Sequence, residues 1–325
     1  MQAFSLLQPT STGDAIAAAQ AHGTKYIAGG SDLMQLMKDN VVAPDRLVDL
    51  EKLQLTGIRT DSGGLRLEAM ARMSDVAAHP AVQQRWPVIS AALLASASPQ
   101  VRNMGTIGGN LLQRTRCSYF RDTGFACNKR EPGSGCPAIK GASRMLSVLG
   151  GSDHCIATHA SDLAVALMAL DATLELHGAG DTRREVPIGE FYRLPGNTPN
   201  IETVLAPGEM IAAVIVQDTP AARHSHYLKV RDRTSFEFAL VSAAVALETS
   251  ENTVRDVRVA AGGVGTRPWR LPEVEAALHG ATLNDALLRE ASARAGVGAR
   301  PTRQNEFKLT LLRRTVLRAL QTAAA

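Results

Sequence analysis

Four cysteines, Cys117, Cys127, Cys136 and Cys155, fall within 39 consecutive positions of a 325-residue chain that has no others. The segment that holds them, beginning "CSYFRDTGFACNKREPGSGC", is polar, punctuated by glycine and proline, and almost without hydrophobic periodicity. Free cysteines mostly fill apolar cores, and this stretch has no core pattern to fill. Their clustering there argues against their being core fillers. Gaps of nine, eight and eighteen residues leave three chemistries open. Disulfides suit small domains in an oxidising compartment, and the opening "MQAFSLLQPTSTGDAIAAAQ" lacks the basic start and cleavage pattern of a signal peptide. Four-thiolate zinc sites ordinarily use C-x2–4-C knuckles, which are absent here. An iron–sulfur cluster is also held by four thiolates and, being larger than one ion, accepts wider spacing.

The rest of the chain is ordinary globular sequence. With 45% hydrophobic and 20% charged residues it can bury two or three cores. A net charge of +4, with arginine scattered rather than blocked, does not indicate a nucleic-acid partner. No run of about 18 apolar residues suggests a membrane span. "KYIAGG" followed by "SDLMQLMKDN" reads as strand, glycine turn and helix. A helix is expected from Met73 through "SDVAAHPAV" to "VISAALLASAS". Another follows in "HASDLAVALMALDATLELHG", capped by Ser161 or Asp162 and leading into a strand. "HYLKVRDR", "SFEFALVSAAVALE" and "VRDVRVAAGGVG" alternate strand and helix signals, and "NEFKLTLLRRTVLRALQ" is a closing amphipathic helix.

Two glycine turns carry the remaining chemistry. In "IAGGSDL", Gly29 and Gly30 stand between strand and helix, where backbone N–H groups can converge on an anion. The turn does not match the G-x-G-x-x-G fingerprint of a Rossmann domain. "NMGTIGGNLL" offers a second turn with Gly105, Thr106, Gly108, Gly109 and Asn110, and the pair could hold the two phosphates of one dinucleotide from both sides. Six residues separate Asn110 from Cys117, so the second turn and the cysteines lie within roughly 25 Å. A redox centre beside a dinucleotide is an electron-transfer arrangement. "AAGGVGTRPWR" is a third glycine-rich stretch and reads as a plain turn.

The segments "YIAGGSDLM", "RNMGTIGGNLL", "HASDLAVAL", "KVRDRTSFEFALVSAAVAL" and "AAGGVGTRPWR", in that order, resemble the FAD-binding medium subunits of the molybdenum hydroxylases, the xanthine dehydrogenase family. The cysteine insertion resembles that of the [4Fe-4S]-containing flavoproteins of bacterial periplasmic aldehyde oxidoreductases, and 4-hydroxybenzoyl-CoA reductase flavoproteins have a comparable one. The resemblance implies an α+β fold: a two-lobed FAD-binding domain of the vanillyl-alcohol-oxidase type, not Rossmann, then a C-terminal α+β domain of the CO-dehydrogenase-flavoprotein type. Residues 1–57 would form the first lobe, 58–220 the second with the insertion at about 113–156, and 221–325 the C-terminal domain.

By the same resemblance, FAD would be held by Lys25, Tyr26, Ile27, Ala28, Gly29, Gly30, Ser31, Asp32 and Leu33, with Thr106, Gly109, Asn110, Asp162, Ile211 and Lys229. Asp162 would accept from a sugar hydroxyl, and Lys229 would stand near the flavin. Read without the resemblance, Asp162 is a plain helix cap and Lys229 shares a solvated strand face with Arg231 and Arg233. Cys117, Cys127, Cys136 and Cys155 would ligate a [4Fe-4S] cluster. Two partner subunits are implied, a large one with the molybdenum cofactor and a small one with [2Fe-2S] clusters, and an external electron acceptor. This chain would then have no substrate site or catalytic residue of its own. The implied complex is periplasmic by co-export with a signal-bearing partner, or cytoplasmic. The competing readings are a 4-hydroxybenzoyl-CoA-reductase-like or N-heterocycle-oxidising enzyme, and a zinc-stabilised binding module.

Overall fold

The computed structural model describes residues 1–325 and is an α+β protein with twelve strands in three sheets. β1 (Ser5–Leu7), β2 (Thr24–Ile27) and β3 (Arg46–Asp49) form a small parallel sheet in the order β1-β3-β2. β4 (Ile58–Thr60), β5 (Gly64–Glu68), β6 (Thr173–His177), β7 (Arg183–Pro187) and β8 (Met210–Gln217) form an antiparallel sheet in the order β4-β5-β8-β6-β7. β9 (Ser225–Val230), β10 (Val241–Ser250), β11 (Thr253–Gly262) and β12 (Trp269–Arg270) form the third, again antiparallel. The cysteines belong to none of the sheets. Their segment falls in the connection between β5 and β6 of the second sheet, with only the short helical turns Ser118–Arg121 and Pro137–Ile139.

Two local differences from the sequence reading have plain causes. The helix expected from Met73 onward is three, Met73–Ala78, Pro80–Arg85 and Pro87–Ala95. Pro80 and Pro87 each open a new helix, because proline fits the first turn and breaks an interior. "VSAAVALE", which carries both signals, lies in strand β10. Ala243, Val245 and Leu247 face one core while Ala244 and Ala246 face another. A strand buried on both faces loses the apolar–polar alternation by which strands are recognised.

That double burial positions the site. The closing helix Phe307–Ala323 lies across β9 and β10 with Leu312, Val316, Ala319 and Leu320 buried. The opposite face of the sheet meets the helix Asp162–Ala169, all of whose residues are buried, and β9 also packs on the helix Pro87–Ala95. On β9, Tyr227 and Lys229 share a face because side chains alternate along a strand. Their face points inward, toward these helices.

Candidate functional site

A cleft of about 760 Å³ opens where the first glycine turn, the second glycine turn, β9 and the cysteine segment meet. All fifteen residues expected from the sequence as cofactor contacts line it. Lys25 to Leu33 form one wall, Thr106, Gly109 and Asn110 another, and Asp162, Ile211 and Lys229 stand between them. Seven Lys or Arg side chains line the cleft against four Asp or Glu, so its field favours an anion.

The first turn is built for close approach. A Cβ on Gly29 would meet the Met104 carbonyl carbon at 2.7 Å and the Gly105 Cα at 3.2 Å, so the two glycine turns are in direct backbone contact. Gly30 has φ +67°, the left-handed region that glycine enters freely. The backbone N–H groups of Ala28, Gly29, Gly30, Ser31 and Asp32 donate to no backbone carbonyl. Buried or half-buried N–H groups without partners are uncommon, and a run of them forms a concavity for an anion.

The second turn is different. Ile107 and Gly108 donate to Ala71 and Ala69 carbonyls at 3.0 and 2.8 Å, and Gly109 donates to the Thr106 hydroxyl at 3.2 Å. Asn110 accepts from the Ser161 hydroxyl at 2.6 Å. These groups are already engaged, so this turn contributes shape and the first contributes the anion-binding donors. Two turns with the same residue types thus divide the work.

Asp32, expected as a cofactor contact, has its carboxylate turned to the cysteine segment. It accepts from the Arg114 N–H at 2.8 Å, from Arg121 at 2.7 Å and from Arg116. Burial pushes its pKa up, but the Arg116 charge and these hydrogen bonds more than offset that and hold it below the usual carboxylate range. Tyr26 donates to the Gly208 carbonyl at 2.7 Å, and burial pushes its phenol up to about 12.

Asp162 is not the helix cap. Ser161 is, accepting from the Ala164 N–H at 3.0 Å. The Asp162 carboxylate instead takes the Tyr227 hydroxyl at 2.6 Å, the Lys229 ammonium at 2.8 Å and the Ser96 hydroxyl at 2.9 Å. Lys229 is no surface lysine either, since its side chain is 3% exposed and also donates to the Ala95 carbonyl at 3.1 Å. Ile211 sits on β8 where the register with β6 shifts between Glu175 and Leu176, an irregularity of the kind that re-aims side chains.

Cys117, Cys127, Cys136 and Cys155 are unbridged and together line a single small void. At about 10 Å³ it has room for one water-sized sphere, so the loops must part to admit anything larger. No three His, Cys, Asp or Glu side chains close on one point as a single-ion site. Burial pushes the Cys117 thiol up to about 11 and raises Cys136 and Cys155. The Ala157 N–H lies 3.4 Å from the Cys155 sulfur, a contact that favours a thiolate. His154, Asn128 and Lys129 line the same void, and four thiols around it are the donor set of a thiolate-bound cluster.

Cys155, Lys129 and Ala157 line both this void and the large cleft. The wall between them is one side chain thick. The cleft lining beside it includes two groups the sequence did not single out. Glu202 accepts from Lys129 at 2.7 Å and pairs with Arg114. Burial pushes it up, but both cations more than compensate and keep it ionised. His159, edge-on to Tyr192 with centroids 4.5 Å apart, is brought down to about 4 by burial and is neutral at pH 7. Glu202 lies in no motif, and His159 opens "HASDL" without a polar role legible from its neighbours in sequence, so their tertiary contacts reveal them.

A mostly antiparallel α+β scaffold whose glycine turn presents free N–H groups to a cationic cleft, without a Rossmann unit, defines a class of flavoprotein. Residues 2–217 match the family described as FAD binding domain in molybdopterin dehydrogenase, and residues 226–323 match the CO dehydrogenase flavoprotein C-terminal domain. The chain belongs to the FAD-binding medium subunits of the molybdenum hydroxylases and is a subunit of an oxidoreductase. Among its relatives is the aldehyde oxidoreductase FAD-binding subunit PaoB of Escherichia coli K12, 45% identical over 329 residues, covering 100% of this chain and 99% of that one. The glyceraldehyde dehydrogenase medium chain of Sulfolobus acidocaldarius is 28% identical over 82% of this chain and 77% of its own length. Carbon monoxide dehydrogenase from Hydrogenophaga pseudoflava superposes with a TM-score of 0.76 at 26% identity, over 99% of this chain and 98% of that one.

Proposed function

We propose that the chain is the electron-transfer flavoprotein of a heterotrimeric, molybdenum-dependent aldehyde oxidoreductase, holding FAD in the large cleft and a [4Fe-4S] cluster on its four cysteines. The observation that carries this reading is the shared wall: a four-thiol void and an anion-binding cleft with Cys155 in the lining of both. The full-length similarity to PaoB supports aldehyde as the substrate class. Substrate oxidation then belongs to a large molybdenum-cofactor subunit, and a small [2Fe-2S] subunit delivers electrons.

FAD, when bound, exchanges electrons with one-electron iron–sulfur donors and passes them to an external acceptor. The residues of this chain bind and orient it. The N–H groups of residues 28–32 hold the pyrophosphate, with the Ser31 hydroxyl beside them. Gly29 would keep the two turns in backbone contact and so hold the donor loop in place for the cofactor. Ile211 would supply an apolar contact, and Lys229 would offer a buried positive charge to the redox-active ring from the cleft lining. Cys117, Cys127, Cys136 and Cys155 hold the cluster, and Lys129, which lowers the Cys155 thiol against the effect of burial, adds positive charge next to it. Positive charge beside a cluster favours its reduced form.

Purification under anaerobic conditions, with iron, sulfide and flavin analysis and a visible spectrum, tests the assignment. One FAD and roughly four irons per chain, the content of one cubane, is the expected result. Zinc in place of iron would keep the flavin cleft and overturn the cluster; a colourless protein would overturn both.

A further inference from the structure

Resting on the reading that places FAD in the cleft with Lys229 beside its redox-active ring, we infer that Tyr227 is a positioning residue for the flavin: through Asp162 it fixes the Lys229 ammonium and thereby sets the cofactor's preference for its reduced state. Tyr227 lines no part of the cleft. Its ring is buried under the helices Asp162–Ala169 and Pro87–Ala95, and its hydroxyl reaches Asp162 at 2.6 Å.

The geometry makes Asp162 the pivot. Oδ1 takes the Tyr227 hydroxyl, while Oδ2 takes Lys229 at 2.8 Å. The Ser96 hydroxyl stands 2.9 Å from Oδ2 but also 2.8 Å from the Ala92 carbonyl, and one hydroxyl proton serves one of them at a time. Tyr227 is therefore the neutral donor on which the carboxylate depends. An ammonium has three N–H donors. Lys229 commits one to Asp162 and one to the Ala95 carbonyl, which leaves one for a ligand, on a side chain that lines the cleft.

Reduction of FAD by two electrons takes up one proton and leaves one negative charge on the ring (FAD + 2e⁻ + H⁺ → FADH⁻), the electrons coming from an iron–sulfur donor. The Lys229 charge stabilises that product in proportion to how little of its field the Asp162 carboxylate cancels. A carboxylate held by a strong O–H donor on its far oxygen presents less charge to its lysine and cannot rotate toward it. Without that donor, Oδ1 is buried and unpartnered, a costly state, and the carboxylate closes on Lys229. The field at the ring falls.

The test is the two-electron midpoint potential of the flavin in the full-length protein purified with FAD, alongside the Kd for oxidised FAD and thermal unfolding. Tyr227→Phe is expected to lower the relative affinity for reduced over oxidised FAD about tenfold, the scale of one charge-assisted hydrogen bond, which is a fall of about 30 mV for a two-electron couple. Flavin content should stay near that of the native protein. Lys229→Met should lower the potential at least as far, and adding Tyr227→Phe to it should change nothing more, since the tyrosine acts through the lysine. A Tyr227→Phe protein that binds FAD with unchanged potential overturns the inference, as does a further shift in the double variant. Should Tyr227→Phe not fold, an unchanged potential in Lys229→Met overturns it equally. Absence of flavin from the native protein would instead overturn the reading of the cleft, and this inference with it.

Discussion

Arg121 donates to the Asp32 carboxylate at 2.7 Å, joining the cysteine segment to the glycine loop that walls the cleft. Both side chains are largely buried, 16% and 15% exposed, and Arg116 and the Arg114 N–H converge on the same carboxylate. Removing one member of such a cluster leaves charges without partners inside the protein. Asp32→Asn is expected to lower stability by about 3 kcal/mol at pH 7, read by urea unfolding. Because the folded carboxyl titrates below its ordinary 3.8, this contribution is fully present above that value and is lost as pH falls through the folded pKa. The gap between native protein and variant should close in acid; a gap independent of pH would show that the charge is not what matters.

Cys127→Ser removes one of four thiols around the void while leaving the cleft lining intact. Iron should fall to a small fraction of the native content with FAD retained. Flavin lost in step with iron would mean that the thin wall at Cys155 needs the cluster to stand.

Gly29→Ala puts a methyl group into the Met104 carbonyl. The loops must separate, so FAD affinity should fall at least tenfold, the scale of about 1.4 kcal/mol. Gly13→Ala is the control: it lies in the helix Thr12–Ala19 with nothing within 4 Å of the added carbon, and should raise stability by a few tenths of a kcal/mol to about 1 kcal/mol. Equal flavin affinity in the two proteins would remove the close approach from the account.

Lys308 is 0% exposed on the closing helix and donates to the Gly263 carbonyl at 2.6 Å and the Leu146 carbonyl at 3.2 Å. Burial, with Arg144 nearby, brings its pKa from 10.5 down to about 7. Between those two values the unfolded chain binds a proton that the folded chain does not, so stability rises with pH across that window. The difference in unfolding free energy between native protein and Lys308→Met should therefore grow in favour of the native protein from pH 7 to pH 9, by on the order of 2 kcal/mol. A constant difference would show that the lysine titrates normally.

Local sequence determined a good deal of this protein. The strand, turn and helix around Gly29 and Gly30, the helix and strand after His159 and the closing amphipathic helix are written in short-range periodicity and turn chemistry, which depend on residues a few positions apart. The clustering of Cys117, Cys127, Cys136 and Cys155 likewise announced a site before any fold was known. Tertiary structure alone decided what the polar groups do. Asp162 reads as a helix cap and Lys229 as a surface cation until helix and strand, 67 residues apart in sequence, bring them to 2.8 Å. Asp32 belongs to the glycine loop by sequence and to the arginines of the cysteine segment by contact. The division of labour between the two glycine turns depends on which N–H groups meet Ala69 and Ala71, and the shared wall at Cys155 on where two cavities happen to meet. A side chain's partner is fixed by packing between distant segments, and periodicity carries no record of that.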